Sequence, residues 1–301
     1  AIRDVLVAEE SIVTYRQAQE GEETLCDREN MERLLRMVRL ARRPRFQALP
    51  VDKLPLFLAV HQGVAEKGST LADLQQKLEP LLGYVTHAGL WEEAILPARM
   101  EPYCCAWTDS LLQTSDLIWF GRRNRKIGFC FWDDLPLFPL AENNKQKEER
   151  GEAVSLFPDP EGRYDFLTLC RNSGLSSEEL THRLWEHVWR GYAANDSIAV
   201  LRMAILNNFK ASPLDEGRRF SRRRGFNRWA ATRPLQGNWY LLPQNDVEDA
   251  VEQEELVKER VRLLLLRYGV LFRELLQQEL PGLRWRDIFR TLRLMEFSGE
   301  L

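Results

Sequence analysis

Cations gathered in two short stretches are the side chains of this sequence best suited to chemistry, and that chemistry is the attraction of anions. Gly121-Arg122-Arg123-Asn124-Arg125-Lys126 sets four positive side chains together with no acid among them. Between Gly217 and Arg233 lie Arg218, Arg219, Arg222, Arg223, Arg224, Arg228 and Arg233, again without an acid and interleaved with Phe220, Phe226 and Trp229. Arginine at this density contacts phosphates, and an aromatic beside it can stack on an exposed base. The candidate nucleic-acid contacts are therefore Arg122, Arg123, Arg125, Lys126, Arg218, Arg219, Arg222, Arg223, Arg224, Arg228 and Trp229. A turn kept polar for solubility and a solvated basic loop are the plain alternatives.

Other constellations fail on chemistry. Cys26, Cys104, Cys105, Cys130 and Cys170 form no CxxC pair, and reduced thiols in a cytoplasm fit them best. His182 and His187 are five apart and share no helix face, so no metal site is expected. The stretch Gly63-Val64-Ala65-Glu66-Lys67-Gly68-Ser69-Thr70 is superficially a phosphate loop, yet Lys67 precedes Gly68 where the loop needs it to follow. No cofactor site is expected in this chain. With 44% hydrophobic and 29% charged residues, the composition is that of an ordinary soluble protein. Its net charge is −3, so attraction to nucleic acid must come from local patches. No apolar run approaches about 18 residues, the length of a membrane-spanning helix.

The cations need scaffolds. Leu117–Phe120 and Ile127–Phe131 read as aromatic-rich strands, with residues 121–126 as the hairpin turn between them. Ahead of them come helices over Leu54–Ala65 and Leu71–Leu82, the latter opened by a Thr70–Asp73 capping box, and over Leu90–Leu96. A further helix carries Trp107, Leu111 and Leu112, with Pro102 in its first turn. Near the end, Val261, Leu264, Leu265 and Tyr268 recur at the spacing of one buried helix face, and Gly269 caps it. A short helix over Phe272–Glu279 follows, then a third from Trp285 with Ile288, Phe289, Leu292 and Met295 inward. Three short helices leading into an extended segment outline a winged helix, whose third helix and hairpin face DNA. A similar unit is expected from Tyr164. Ser176 and Glu179 cap its helix bearing Leu180, Leu184, Trp185, Val188 and Trp189, the tryptophans being core, and a strand at Asn238–Pro243 serves as its wing.

The fold class is thus mostly α with small β-hairpins (α+β), as tandem winged-helix domains with strands able to contribute to a small β-barrel. Residues 1–45 are expected as a helical connector ending in a basic helix, Arg28–Arg43, whose arginines either pair with acids or contact phosphate. Residues 46–142 form a winged-helix-like domain with a hairpin wing, 143–163 a linker, and 164–245 a second such domain with a basic loop. Residues 246–301 form a C-terminal winged helix cut short at its wing. That ending, with no initiator Met and no signal peptide, predicts a segment of a longer polypeptide.

Several blocks resemble one family, the C-terminal region of bacterial large helicase-related (Lhr-type) proteins. They are Phe46-Gln47-Ala48-Leu49-Pro50, Leu96-Pro97-Ala98-Arg99, Leu184-Trp185-Glu186-His187-Val188-Trp189 with Asn195-Asp196, Gly237-Asn238-Trp239-Tyr240-Leu241-Leu242, and Arg267-Tyr268-Gly269-Val270-Leu271-Phe272. The resemblance implies a DNA-binding accessory region of a superfamily 2 ATP-dependent helicase, a hydrolase of DNA repair, with ATP and Mg in a helicase core on the same polypeptide. It implies single-stranded or forked DNA as partner, a bacterial cytoplasm with nucleoid association, and no membrane. It also implies a fold like the AlkZ-type DNA glycosylases, although their Gln-x-Gln pair has no counterpart; Gln75-Gln76 and Gln277-Gln278 are adjacent pairs. A glycosylase module and a homo-oligomerisation or partner-docking module are the alternatives, and no catalytic residue is assigned.

Overall fold

A computed structural model describes residues 12–16, 23–42, 49–138, 146–210, 237–243 and 249–301. The chain forms two compact units, residues 1–53 with 292–301, and residues 54–291.

In the first unit, β1 (Ile12–Arg16) pairs antiparallel with β2 (Glu23–Asp27), Ile12 facing Asp27 and Arg16 facing Glu23. The expected helix is therefore replaced by strands over the described part of residues 1–27. Ile12, Val13 and Thr14 suit a pleated strand better than a helix, because their side chains are branched at the β-carbon. Asp27 then caps α1 (Arg28–Arg42), its Oδ1 accepting the Asn30 amide at 3.0 Å. Exposed pairs Arg28–Glu32 and Arg33–Glu29, at 3.7 and 4.0 Å, give this helix a solvated, ion-paired surface.

The second unit opens with α2 (Leu54–His61) and α3 (Leu71–Leu78). The Thr70–Asp73 capping box forms as expected, Thr70 Oγ1 accepting the Asp73 amide at 3.2 Å and Asp73 Oδ2 accepting that of Thr70 at 2.9 Å. β3 (Thr86–His87) leads into α4 (Ala88–Leu90), which continues as a π-helical turn, Trp91–Ile95. Then come α5 (Cys105–Thr114), β4 (Leu117–Arg122) and β5 (Lys126–Phe131). The sheet order is β3-β5-β4, all antiparallel, with Leu117 opposite Phe131 and Arg122 opposite Lys126. Helix, short strand, helix, third helix and hairpin in this order make a winged helix, with α5 in the place of the third helix. Trp91 is fully buried beneath it; its indole N–H donates to the Ile127 carbonyl at 3.1 Å, and its ring meets Phe129 edge-on at 4.8 Å.

Beyond the hairpin, α6 (Gln146–Ser155) occupies much of the stretch expected as a linker. Its end buries Ala153, and Leu156 and Phe157 follow it into the core. α7 (Phe166–Ser173) and α8 (Ser177–Trp189) come next, the second opened by the expected Ser176–Glu179 box. Burial and contact with Trp119, Trp239 and Phe209 make Trp185 a core residue, as its place on the apolar face implies. β6 (Ala193–Asn195) and α9 (Ile198–Leu206) repeat the strand-to-helix step of β3 and α4. β7 (Trp239–Leu241) pairs with β6 and bridges to Tyr164, so this buried strand is not a projecting wing. One continuous core runs from Leu74 to Trp239, joining the two predicted domains. Among the described residues the sheets have two or three strands, and none closes into a barrel.

α10 (Ala250–Tyr268) ends at Gly269, whose φ of +70° is the left-handed cap expected there. A 3₁₀ turn, Leu275–Gln278, and α11 (Trp285–Ser298) complete a second winged-helix outline, α11 standing where α5 stands in the first. The last turns of α11 belong to the first unit. Arg267, 1% exposed, fixes α10 from within: its guanidinium meets Glu279 Oε1 and the Leu82 carbonyl, each at 2.6 Å. Tyr268 Oη donates to the same Glu279 oxygen at 2.5 Å, and burial with that carboxylate pushes its phenol up.

Candidate nucleic-acid interface

The β4–β5 hairpin separates its four cations by role. Arg122 and Lys126 form the last rung of the ladder, and Arg122 is 8% exposed, so its guanidinium lies inside the fold rather than at the tip. Arg123, Asn124 and Arg125 make the turn, with φ of +61° at Asn124 and +55° at Arg125. Left-handed backbone is uncommon for arginine and must be held from outside. Three contacts hold it. The Arg125 carbonyl accepts the Ala88 amide at 3.0 Å, its Nη1 donates to Asn208 Oδ1 at 2.6 Å, and its guanidinium lies 4.9 Å from the Phe209 ring centre. Phe209 in turn packs edge-on against Trp185 and Trp189.

Arg125 is thus an anchor for the turn, and Arg123, exposed, carries the forward charge with half-buried Lys126 beside it. The shaft of the hairpin is pinned as well. A Cβ on Gly121 would sit 2.3 Å from the Val188 carbonyl oxygen, so only glycine lets β4 lie this close to α8. The field of Arg123 reaches Tyr192, whose phenol burial and Glu149 push up while Arg190 and Arg123 oppose them. Arg190 itself is paired, with Glu186 at 2.6 Å and Glu152 at 3.9 Å. The second predicted cluster, Arg218, Arg219, Arg222, Arg223, Arg224 and Arg228 with Trp229, lies outside the described residues.

The third helices, which read DNA in winged helices, differ sharply. α5 carries one charge, Asp109. Arg202 of α9 is clamped onto it, Nη1 at 2.8 Å from Asp109 Oδ1 and Nε at 2.6 Å from Glu92 Oε2. Those carboxylates raise the already high pKa of Arg202 against the opposing effect of burial, and Glu92 also accepts from Tyr103 Oη at 2.8 Å. α11 is the reverse. Arg286 and Arg290 are exposed one turn apart; among the described residues Arg286 reaches the adjacent Asp287 at 3.2 Å, with its side chain 76% accessible. Further along, Arg293 lies over the Phe297 ring. Phe289, expected inward, is 40% exposed, while Ile288 is fully buried. These helix arginines escape a search for dense charge because helical spacing dilutes them along the sequence. The remaining histidines of interest do not converge: His182 is exposed, and His187 is buried, its pKa lowered by burial and then by Arg190.

Topology and exposed cations define a protein of tandem winged helices. Residues 50–130 match the family model described as "Large helicase-related protein, winged-helix domain", and residues 250–301 match a second model of that description. The chain is 26% identical over 294 residues to the Lhr helicase/probable uracil glycosylase of Mycolicibacterium smegmatis, an alignment covering 92% of this chain and 19% of that protein. It is 26% identical over 273 residues to the Lhr helicase/uracil glycosylase of Escherichia coli, covering 82% of this chain and 17% of that protein. The chain therefore spans less than a fifth of the length of these relatives, and the winged-helix matches support a likeness to a C-terminal Lhr-type region. No helix among the described residues is long and apolar enough to cross a membrane.

Proposed function

We propose that this region binds DNA as an accessory part of an Lhr-type, ATP-dependent helicase acting in DNA repair, holding single-stranded or forked DNA by its phosphates. The observation that carries this reading is the exposed arginine face of α11, Arg286 and Arg290, on the helix that winged helices use for DNA. Arg123 at the hairpin turn and the sequence cluster Arg218–Arg228 supply further phosphate contacts. ATP and Mg belong to a helicase core on the same polypeptide, which also serves as this region's covalent partner. The names of the two relatives favour a second reading, base excision from uracil-containing DNA. Release of abasic product by the isolated chain would establish that activity.

The test of the first reading is salt-dependent binding to single-stranded, duplex and forked oligonucleotides. Reversing charge at Arg222, Arg223 and Arg224 is expected to weaken all three and to lower the salt slope by roughly one for each phosphate no longer neutralised. A chain that binds none of them refutes it, and a variant that keeps the full slope removes the Arg222–Arg224 cluster from the interface.

A further inference from the structure

The first two turns of α11 carry more than charge. Trp285 and Phe289 stand one turn apart, and so do Arg286 and Arg290. With Trp285 as zero and about 100° per residue, the aromatic pair spans roughly 0–40° around the helix and the arginine pair roughly 100–140°. Ile288, fully buried, lies on the other side of the aromatics at roughly 300°, so the rings form a strip between core and cations. Trp285 is half-buried and Phe289 is 40% exposed, their ring centres 5.0 Å apart and the planes tilted by 31°. Asp287, the acid within this stretch, is engaged: Oδ2 accepts the Gly282 amide at 3.1 Å, and Oδ1 accepts from Arg286 at 3.2 Å.

The arginines select what can cover this strip. An apolar protein surface laid on it would bury two guanidinium groups without partners, whereas a chain of phosphates pairs them. A duplex leaves the rings unexplained. Its bases are stacked inside, and a helix in the major groove meets phosphates and base edges that ask for donors and acceptors. A phenyl ring offers that groove no hydrogen bond, only contact with a thymine methyl group. An unpaired strand is different: its backbone tracks cations while its bases turn toward aromatic rings, and every base has a face to stack. On α11 the arginine row stands farther from the core than the rings. A strand with phosphates outward and bases inward requires that order.

We infer that Phe289, backed by Trp285, stacks on an unpaired base whose flanking phosphates lie on Arg286 and Arg290, so that α11 takes a single strand rather than the groove of a duplex. The inference rests on the DNA-binding reading above and specifies the form of DNA that this helix accepts. It sets α11 apart from the usual third helix of a winged helix, which docks in the major groove. Phe289 is then the residue that tells unpaired from paired DNA, and the arginines supply attraction common to both.

The experiment measures binding of the chain to three probes: a thymidine strand of about twelve nucleotides, an abasic sugar–phosphate strand of the same length, and a duplex. The abasic strand keeps the phosphates and lacks the bases. Wild type is expected to hold the thymidine strand about tenfold more tightly than the abasic one. Phe289→Ala should weaken thymidine binding about tenfold, leave the abasic strand and the duplex unchanged, and keep the salt slope, since no charge is lost. Phe289→Leu keeps an apolar side chain against Trp285 and loses the aromatic face, so it should match alanine, while Phe289→Trp should bind as wild type does. Undiminished thymidine binding in Phe289→Leu, or a fall equal on the thymidine and abasic strands, overturns the inference. A chain that binds no probe fails at the DNA reading. One that binds thymidine and abasic strands alike keeps that reading and loses this inference.

Discussion

The two third helices, α5 and α11, occupy the same station in the same outline and have opposite surfaces. α5 offers no cation, and its one charge is consumed by Arg202. α11 offers Arg286 and Arg290 to solvent. A winged helix whose reading helix is capped by a neighbouring helix is a scaffold, and its hairpin carries what contact it makes. One whose reading helix is open can lie along a phosphate chain. Matching a fold to its family therefore does not say which copy grips DNA; the partners of the third helix do.

The most damaging way to break this comparison is to cut the open winged helix from its support. Arg267 and Glu279 form a buried ion pair, with side chains 1% and 4% exposed, that ties α10 to the Leu82 carbonyl beneath it. Glu279→Ala leaves the guanidinium buried and unpaired, and it should cost about 3–5 kcal/mol in urea unfolding. A loss below about 1 kcal/mol would mean that the pair is solvated and α10 is held by apolar contact alone.

Removing the cap on α5 is the next test. Arg202→Met leaves Glu92 and Asp109 facing each other with side chains only 21% and 31% exposed, and about 2 kcal/mol of stability should go with it. DNA affinity and its salt slope should not change, since uncovering α5 reveals no cation. A gain in DNA binding would show that the cap hides a working surface, and the scaffold assignment would fall.

Charge reversal sharpens the other side. Arg286→Glu with Arg290→Glu should weaken DNA binding about tenfold near 0.1 M salt and lower the salt slope, with unfolding little changed because both side chains are exposed. The same reversal at Arg125 is a poor comparison, because Arg125 is structural. Arg123→Glu is the clean one, and it should act in the same direction but less strongly. Equal slopes for wild type and the α11 double variant would remove α11 from the interface.

Much of this was legible locally. Capping boxes at Thr70–Asp73 and Ser176–Glu179, the glycine cap at 269 and the aromatic hairpin all arise from residues a few positions apart, so the sequence carries their geometry. What was hidden is long-range. Arg202 meets Asp109 across 93 positions and Arg267 meets the Leu82 carbonyl across 185, and nothing near an arginine marks whether it will be buried. The linker reading of residues 143–163 followed a charged run and missed that Ala153, Leu156 and Phe157 suffice to seat a helix end. At the hairpin, counting charge located the turn but could not separate Arg122, buried, and Arg125, an anchor, from Arg123.

Acid gives the mildest test, and it distinguishes the region built on α8 from the rest. Burial and then Arg190 hold His187 below the usual imidazole pKa, so in the folded state it stays neutral while in the unfolded chain it protonates near pH 6.5. The unfolded state then binds more protons, and stability must fall as pH drops below about 6.5 toward the lowered folded value. The cap carboxylates Asp73, Asp165 and Glu179, held down by their hydrogen bonds, lose their contribution only further down, below about pH 4.5. Asp134 works the other way, its pKa raised by burial and then by Asp133 and Glu259, so it favours the folded state on acidification. His187→Leu isolates the first effect: the decline in urea midpoint between pH 7 and pH 5 should flatten in the variant while the decline below pH 4.5 persists. An unchanged profile between pH 7 and pH 5 would mean that protonation there falls on another group, and α8 would lose its claim to be the acid-sensitive side of the scaffold.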